Sequence, residues 1–155
     1  MSTVSTTGSL LQPLTPTWFD SIIAIESAAH THPWSRGNFS DALHAGYHGE
    51  VLLLDNQVLG YFVAMQALDE IHLLTIAIAP AHQGQGWARV LLDALRHWGH
   101  SLQAQTLWLE VRESNAKARA VYEHYGFSSV GLRKNYYPIP GRMEREAAII
   151  MSMVM

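Results

Sequence analysis

Apolar positions recur at helical spacing from Thr17 to Ala29, where Trp18, Ile22, Ile25 and Ala29 share one face. The stretch "HTHPWS" breaks that pattern, because Pro33 disfavours helix at the residue before it. Ser35 then caps a second short helix through Ala45, with Phe39 and Leu43 facing inward. Glu50 to Leu54 and Val58 to Gln66 predict two strands joined by "DNQ" as a hairpin connection. A longer strand runs from Glu70 to Ala79 and stops at Pro80. The strongest amphipathic stripe is Val90, Leu91, Ala94, Leu95 and Trp98, within a helix from Gly86 to Gly99. Then follow a strand over Thr106 to Arg112, a helix from Asn115 to His124, a strand around Phe127 to Leu132 and a last strand from Ala147 to Val154. Two helices, three strands, a helix, a strand, a helix and two strands predict an α/β class with a mixed sheet and helices on its faces. No repeat or linker divides the chain, so the expectation is a single domain over 1–155, with 1–9 as a Ser/Thr-rich flexible tail.

Composition narrows the classes of function. With 48% apolar and 15% charged residues, the chain is of the soluble globular kind and long enough to bury a core. A formal net charge of −3 leaves no broad electrostatic footprint for nucleic acid. The absence of cysteine excludes disulfides, thiolate metal sites and a cysteine nucleophile, and suits a reducing cytoplasm. The start, "MSTVSTTGSLLQPL", has no basic segment followed by an apolar one, so no secretory signal is expected, and no apolar run is long enough for a bilayer. Nine histidines raise a metal hypothesis, but there is no HExxH and His30-Thr31-His32 lacks a third ligand; no metal is expected. No Ser lies in a G-x-S-x-G elbow, which removes the usual hydrolase triad.

Two stretches carry chemistry. In "TIAIAPAHQGQGWARVLL" a strand ends at Pro80, a loop holds Gly84 and Gly86, and an amphipathic helix begins at once. Glycines let backbone N–H groups approach a ligand, and a helix N-terminus adds partial positive charge; together they suit phosphates. Alone, such a loop reads equally as a Gly-rich connector, and Arg89 as an exposed helix arginine. In "LWLEVRESNAKARAVYEHYGF" strand alternation puts Leu107, Leu109 and Val111 on one face and Trp108, Glu110 and Arg112 on the other. Ser114 is the expected helix cap. Asn115 and Tyr122 lie nearly two turns apart on one helix face, with Ala118 and Arg119 between them. From the residues alone, Glu110 reads as either a catalytic acid or base, or a surface acid paired with Arg112. Tyr122 reads as an acid or a core residue.

The loop Gln83-Gly84-Gln85-Gly86-Trp87-Ala88 resembles the Q/R-x-x-G-x-G/A pyrophosphate loop of the GNAT acyltransferases. The 107–127 segment, "AHTHPWS" at 29–35, "LDEIHLLTIAIAP" at 68–80 and "RKNYYP…AIIM" from 133 to 151 resemble, in order, the bacterial ribosomal-protein-alanine N-acetyltransferases, the RimI type within that superfamily. The resemblance covers most of the chain from about residue 22. It implies a GNAT fold, with a mixed central sheet and helices on both faces, and acetyl-CoA as co-substrate without a metal. It further implies that Glu110 is the general base, through water, and Tyr122 the general acid, with direct attack of an amine on the thioester. Ile76, Ala77, Ile78, the loop residues Gln83, Gly84, Gln85, Gly86, Trp87, Ala88 and Arg89, and Asn115 would hold the cofactor. Trp34, Tyr136 and Tyr137 would border the acceptor groove, although aromatics beside prolines also simply pack loops. The implied acceptor is the N-terminal alanine of small-subunit ribosomal protein eighteen, in the cytoplasm, with no direct nucleic-acid or membrane binding. An α-amine is easier to deprotonate than a lysine by about 3.5 kcal/mol, which suits a single glutamate base. Two departures stand out: Gly84 replaces a basic residue carried by many relatives, and Ala88 replaces the last Gly. Two rivals stay open, the same fold acting on lysines or a small amine, and a non-catalytic acyl-CoA-binding module.

Overall fold

A computed structural model gives the structure of the chain and describes residues 9–155. Strand β1 (Ser9–Pro13) pairs antiparallel with β2 (His48–Leu54), Ser9 opposite Leu54 and Pro13 opposite Glu50. The hydropathy pattern missed β1, because five residues ending in Pro carry too little alternation to register. The expected tail lies outside the described residues except for Ser9, which is already strand. A 3₁₀ turn at Pro16–Trp18 leads into α1 (Phe19–Ala29), which buries Phe19, Ile22, Ile25 and, unexpectedly, Glu26. Helix α2 (Arg36–His44) starts as expected at Ser35. The Ser35 hydroxyl accepts from the Asn38 N–H at 3.1 Å and the Asn38 amide oxygen accepts from the Ser35 N–H at 2.9 Å. That reciprocal pair satisfies two otherwise orphaned donors.

Strands β2 and β3 (Gln57–Ala67) are joined by Asp55 and Asn56 alone, at φ +51° and +64°. Two residues in the left-handed region match the twist of a hairpin, so Gln57, expected in the connection, joins the ladder opposite Leu54. Leu68 and Asp69 connect β3 to β4 (Glu70–Ile78). After a 3₁₀ turn at Pro80–His82 come α3 (Trp87–Ser101), β5 (Thr106–Arg112), α4 (Ala116–Tyr125), β6 (Ser128–Pro138) and β7 (Arg145–Val154). The strands form one sheet in the order β1-β2-β3-β4-β5-β7-β6, parallel between β4 and β5 and antiparallel at β1/β2, β2/β3, β5/β7 and β6/β7. This is the expected mixed sheet. Among the described residues, no helix is long and apolar enough to cross a membrane.

The chain divides into two compact units, the first running to Met65 and including Leu74–Trp98, the second made of Gln66–Leu73 and Gly99–Met155. In the first, Phe19, Ile22, Ile25, Phe39, Val51, Tyr61, Val63 and Ala77 form one buried cluster. Gly60 permits the close approach of β4 there, since a Cβ would lie 2.6 Å from the Ala77 carbonyl oxygen. Of the stripe expected on α3, Leu91 and Leu95 are fully buried, and so is Leu92. In the second unit β5 buries Leu107, Leu109 and Val111 on one face, as alternation predicts, beside Ile71, Phe127 and Met151. Strand β6 reaches well past the expected Leu132, to Pro138, and is exposed along most of its length as the edge of the sheet.

Candidate active site

Within the first unit, the loop after β4 is held by its own side chains. The Ala79 N–H donates to the Leu59 carbonyl at 2.7 Å, and Gln83 Nε2 donates back to the Ile78 carbonyl at 3.1 Å. Trp87 Nε1 donates to Gln85 Oε1 at 3.2 Å. Trp87 is only 5% exposed, so its side chain packs inward and anchors the loop. Gly84 and Gly86 stand at φ +75° and +89°, a region that side chains rarely adopt. A Cβ at Gly84 would meet nothing within 4 Å, so the loop backbone there faces open space. Ala88 is half-buried in the first turn of α3 and Arg89 is exposed. A helix N-terminus preceded by such a loop favours an anion. On β4, Ala77 and Ile78 are buried, and the Ile76 carbonyl accepts from His30 Nε2 at 3.1 Å.

Within the second unit, parallel pairing of β4 with β5 ends at His72 opposite Trp108. Glu110 lies two residues beyond and is laddered to Ile150 of β7. Its side chain is 31% exposed overall, yet Oε2 is buried and has no hydrogen-bond partner, while Oε1 stands 3.8 Å from Arg133 Nε. Arg112, the partner expected in the alternative reading of Glu110, donates from Nη1 to Glu146 Oε1 at 3.2 Å and to the Pro138 carbonyl at 3.0 Å. Its guanidinium also lies over the Tyr137 ring, 4.5 Å from the centroid. Hydrogen bonds from Ser114, the side chain first, hold the Glu146 carboxyl below its ordinary range against the opposing effect of burial, and Arg112 adds to them.

Tyr122 packs edge-on against Phe127 at 5.8 Å. Burial, with the nearby Tyr137, pushes its phenol up to about 12. Tyr137 is also raised to about 12, by burial first and then by the negative charge of Glu110. Tyr137 therefore feels Glu110 and is felt by Tyr122, so the three groups share one electrostatic neighbourhood. A wide shift of register between Arg133 and Tyr137 marks a bulge that sets Tyr136 and Tyr137 at the end of β6. Both are strand residues; their ring centroids lie 5.0 Å apart, and Arg133 lies over Tyr136 at 5.4 Å.

The helix cap is Asn115, whose side-chain oxygen accepts from the Ala118 N–H at 3.2 Å, not Ser114, whose N–H is spent on Glu146 Oε2 at 2.6 Å. Asn115 keeps its amide N–H₂ as the part able to meet a cofactor. Trp34 is half-buried and packs on Phe39 at 5.2 Å, so much of its ring is committed to the first unit's core. Tyr125 packs against Phe127, ring centroids 6.3 Å apart. Sequence reasoning did not single out Glu146, Arg133 or Glu26. Arg112, two residues from Glu110 on the same strand face, was the one local signal for that charge cluster. Among the described residues no group of His, Asp and Glu side chains is placed to hold a metal ion.

Comparison with known proteins bears on the same segments. A model of the "Acetyltransferase (GNAT) family" matches residues 19–127. A ribosomal protein bS18-alanine N-acetyltransferase of Haemophilus influenzae is 42% identical over 134 residues, covering 86% of this chain and 90% of the relative. One from Escherichia coli is 40% identical over 129 residues, covering 83% and 86%. The crystal structure of the ribosomal-protein-S18-alanine N-acetyltransferase from Escherichia coli matches with a TM-score of 0.84 at 36% identity, over 94% of this chain and 93% of that one. With the strand order, the glycine loop and the Glu110–Tyr122 segment in place, the chain belongs to the GNAT family of acetyltransferases.

Proposed function

We propose that this chain is an Nα-acetyltransferase that moves an acetyl group from acetyl-CoA to the N-terminal alanine of ribosomal protein bS18. The names and extended similarity of its relatives support the acceptor. The observation that carries the chemistry is Glu110, with one carboxylate oxygen buried and unpartnered on a strand edge where the β4 ladder has ended. A buried acceptor left unpaired costs about 1–3 kcal/mol. A water or an amine that donates to Oε2 offsets this cost, and that is the position of a general base.

Bound acetyl-CoA supplies an acyl thioester. The Gly84–Gly86 backbone, the first turn of α3 and exposed Arg89 hold its phosphates, while backbone groups of Ile76, Ala77 and Ile78 and the Asn115 amide orient the rest. Glu110 takes a proton from the terminal ammonium through water and passes it to solvent; the neutral nitrogen attacks the thioester carbonyl carbon and then gives its second proton to Glu110 by the same route. As the N–C bond forms and the C–S bond breaks, Tyr122 gives its proton to the sulfur and is reprotonated from solvent. A phenol near 12 is a weak donor to a free thiolate, but the burial that raises it disfavours an isolated thiolate as well. Delivery of the proton is thus tied to departure of the sulfur. Tyr136 and Tyr137 border the acceptor, with the free edge of Trp34 contributing. In this reading the two units act as one functional domain, in the cytoplasm, and meet the acceptor as a peptide end without nucleic acid or membrane.

Kinetics on alanine-initiated peptides of increasing length, beside acetyl-lysine precursors and small amines, test it. A specificity constant that rises over the first few residues supports a protein N-terminus as acceptor. Equal or better rates with lysine side chains or small amines would remove it.

A further inference from the structure

Glu26 is a charged residue that the proposed chemistry does not use, and it is 1% exposed at the end of α1. Three donors from separate parts of the first unit converge on it. The Tyr61 hydroxyl on β3 donates to Oε1 at 2.5 Å, the Thr75 hydroxyl on β4 donates to Oε1 at 3.0 Å, and the Trp34 backbone N–H donates to Oε2 at 2.9 Å. His30 Nε2 stands 3.8 Å from Oε1 and reaches the Ile76 carbonyl. The carboxylate and Coulomb field of Glu26, after burial, raise the Tyr61 phenol, which keeps it a donor.

We propose that Glu26 is a positioning residue for acetyl transfer, a buried carboxylate clamp that fixes the 30–34 connection, and with it Trp34, onto β3 and β4. The inference rests on the acetyltransferase reading above. A carboxylate suits the task because it accepts from several directions and donates to none, whereas an apolar residue would strand two hydroxyls and an N–H in the core. The partners are informative. Thr75 immediately precedes Ile76, Ala77 and Ile78, and the functional reading above assigns Trp34 to the acceptor, so one side chain ties the backbone meant for the thioester to the segment meant for the acceptor. The connection itself has no regular structure, so its order rests on side-chain contacts such as this one.

The test compares wild type, Glu26→Gln, Trp34→Ala and the double variant. Glutamine keeps the size but offers one accepting oxygen in place of two. Hydrogen exchange at Trp34 should quicken about tenfold in Glu26→Gln, with α1 and β3 still protected. The KM for an alanine-initiated peptide should rise about fivefold while acetyl-CoA affinity stays within about twofold. If Glu26 acts through Trp34, the double variant should raise KM no further than the larger single one. Should Glu26→Gln fail to fold, Tyr61→Phe removes one donor, keeps the ring, and should shift exchange and KM in the same directions. Faster exchange with unchanged acceptor KM, or fully multiplicative KM effects in the double variant, would overturn the proposal. A wild-type protein that acetylates no amine would defeat the functional reading itself, and the positioning role with it.

Discussion

Glu110 is balanced between an arginine on one oxygen and nothing on the other, and this asymmetry sets what substitution there should do. Glu110→Gln keeps the shape and removes the base, so kcat should fall by about 10²–10⁴ while acetyl-CoA binding is retained. A rate within about twofold of wild type would assign the base elsewhere. Tyr122→Phe keeps the packing on Phe127 and removes the proton, so kcat should fall by about 10²–10⁴ with cofactor affinity nearly unchanged. The pH profile carries a further sign. Tyr122 acts in its protonated form, and a phenol raised to about 12 stays protonated through pH 10, so wild-type kcat should show no Tyr122-dependent fall below that pH. A basic limb near pH 10 that disappears in Tyr122→Phe would contradict the burial argument. Alternation in "LWLEV" was enough to turn Glu110 away from the core. Its neighbour Arg133 was not legible, because β6 lies beyond β7 in the sheet and no local spacing announces a partner two strands away.

At the scale of single elements, glycine and asparagine positions separate stability from binding. Gly60→Ala would put a Cβ 2.6 Å from the Ala77 carbonyl oxygen, which is backbone and cannot swing aside. Destabilisation of about 1–3 kcal/mol is expected, seen as a lower denaturant midpoint. Gly84→Val has no such clash but strains a φ of +75° and covers an open loop backbone. Acetyl-CoA affinity measured by calorimetry should therefore fall by a larger factor than strain alone, about 1–3 kcal/mol, would explain. Asn115→Ala removes the α4 cap at a cost of about 1 kcal/mol, whereas Asn115→Ser keeps a capping oxygen and loses the amide. If the amide holds the cofactor, both variants bind acetyl-CoA more weakly and only the alanine variant loses stability. Long periodic segments such as α3 and β5 were legible because the core reads their whole length. The cap of α4 was misassigned by one residue, since Ser114 and Asn115 are both good caps and only where the helix starts, at Ala116, decides between them. β1 and the outer half of β6 were missed for a shared reason: edge strands expose both faces, and alternation fades with no core to enforce it.

At the scale of the whole molecule, family membership follows from the matched length of chain as well as from any single motif. The glycine loop alone fits many phosphate sites, and the acid in β5 alone fits a surface strand. Their order along the chain, with Asn115 and Tyr122 following Glu110, is what made the class of reaction legible. The acceptor was legible only through resemblance, because recognition of a peptide end rests on backbone geometry and on aromatic edges shared with other acceptors. The buried clamp at Glu26 was not legible at all: an acid at the end of an amphipathic helix reads as solvent-facing until Tyr61 and Thr75 are seen to reach it. The most direct test of the central claim is to locate the acetyl group by fragment mass spectrometry after incubating the protein with acetyl-CoA and a peptide bearing the alanine terminus of bS18 and an internal lysine. The account predicts a single acetyl group on the α-nitrogen, absent when that terminus is blocked. Acetyl groups on the lysine, or none anywhere with active protein and intact acetyl-CoA, would contradict it.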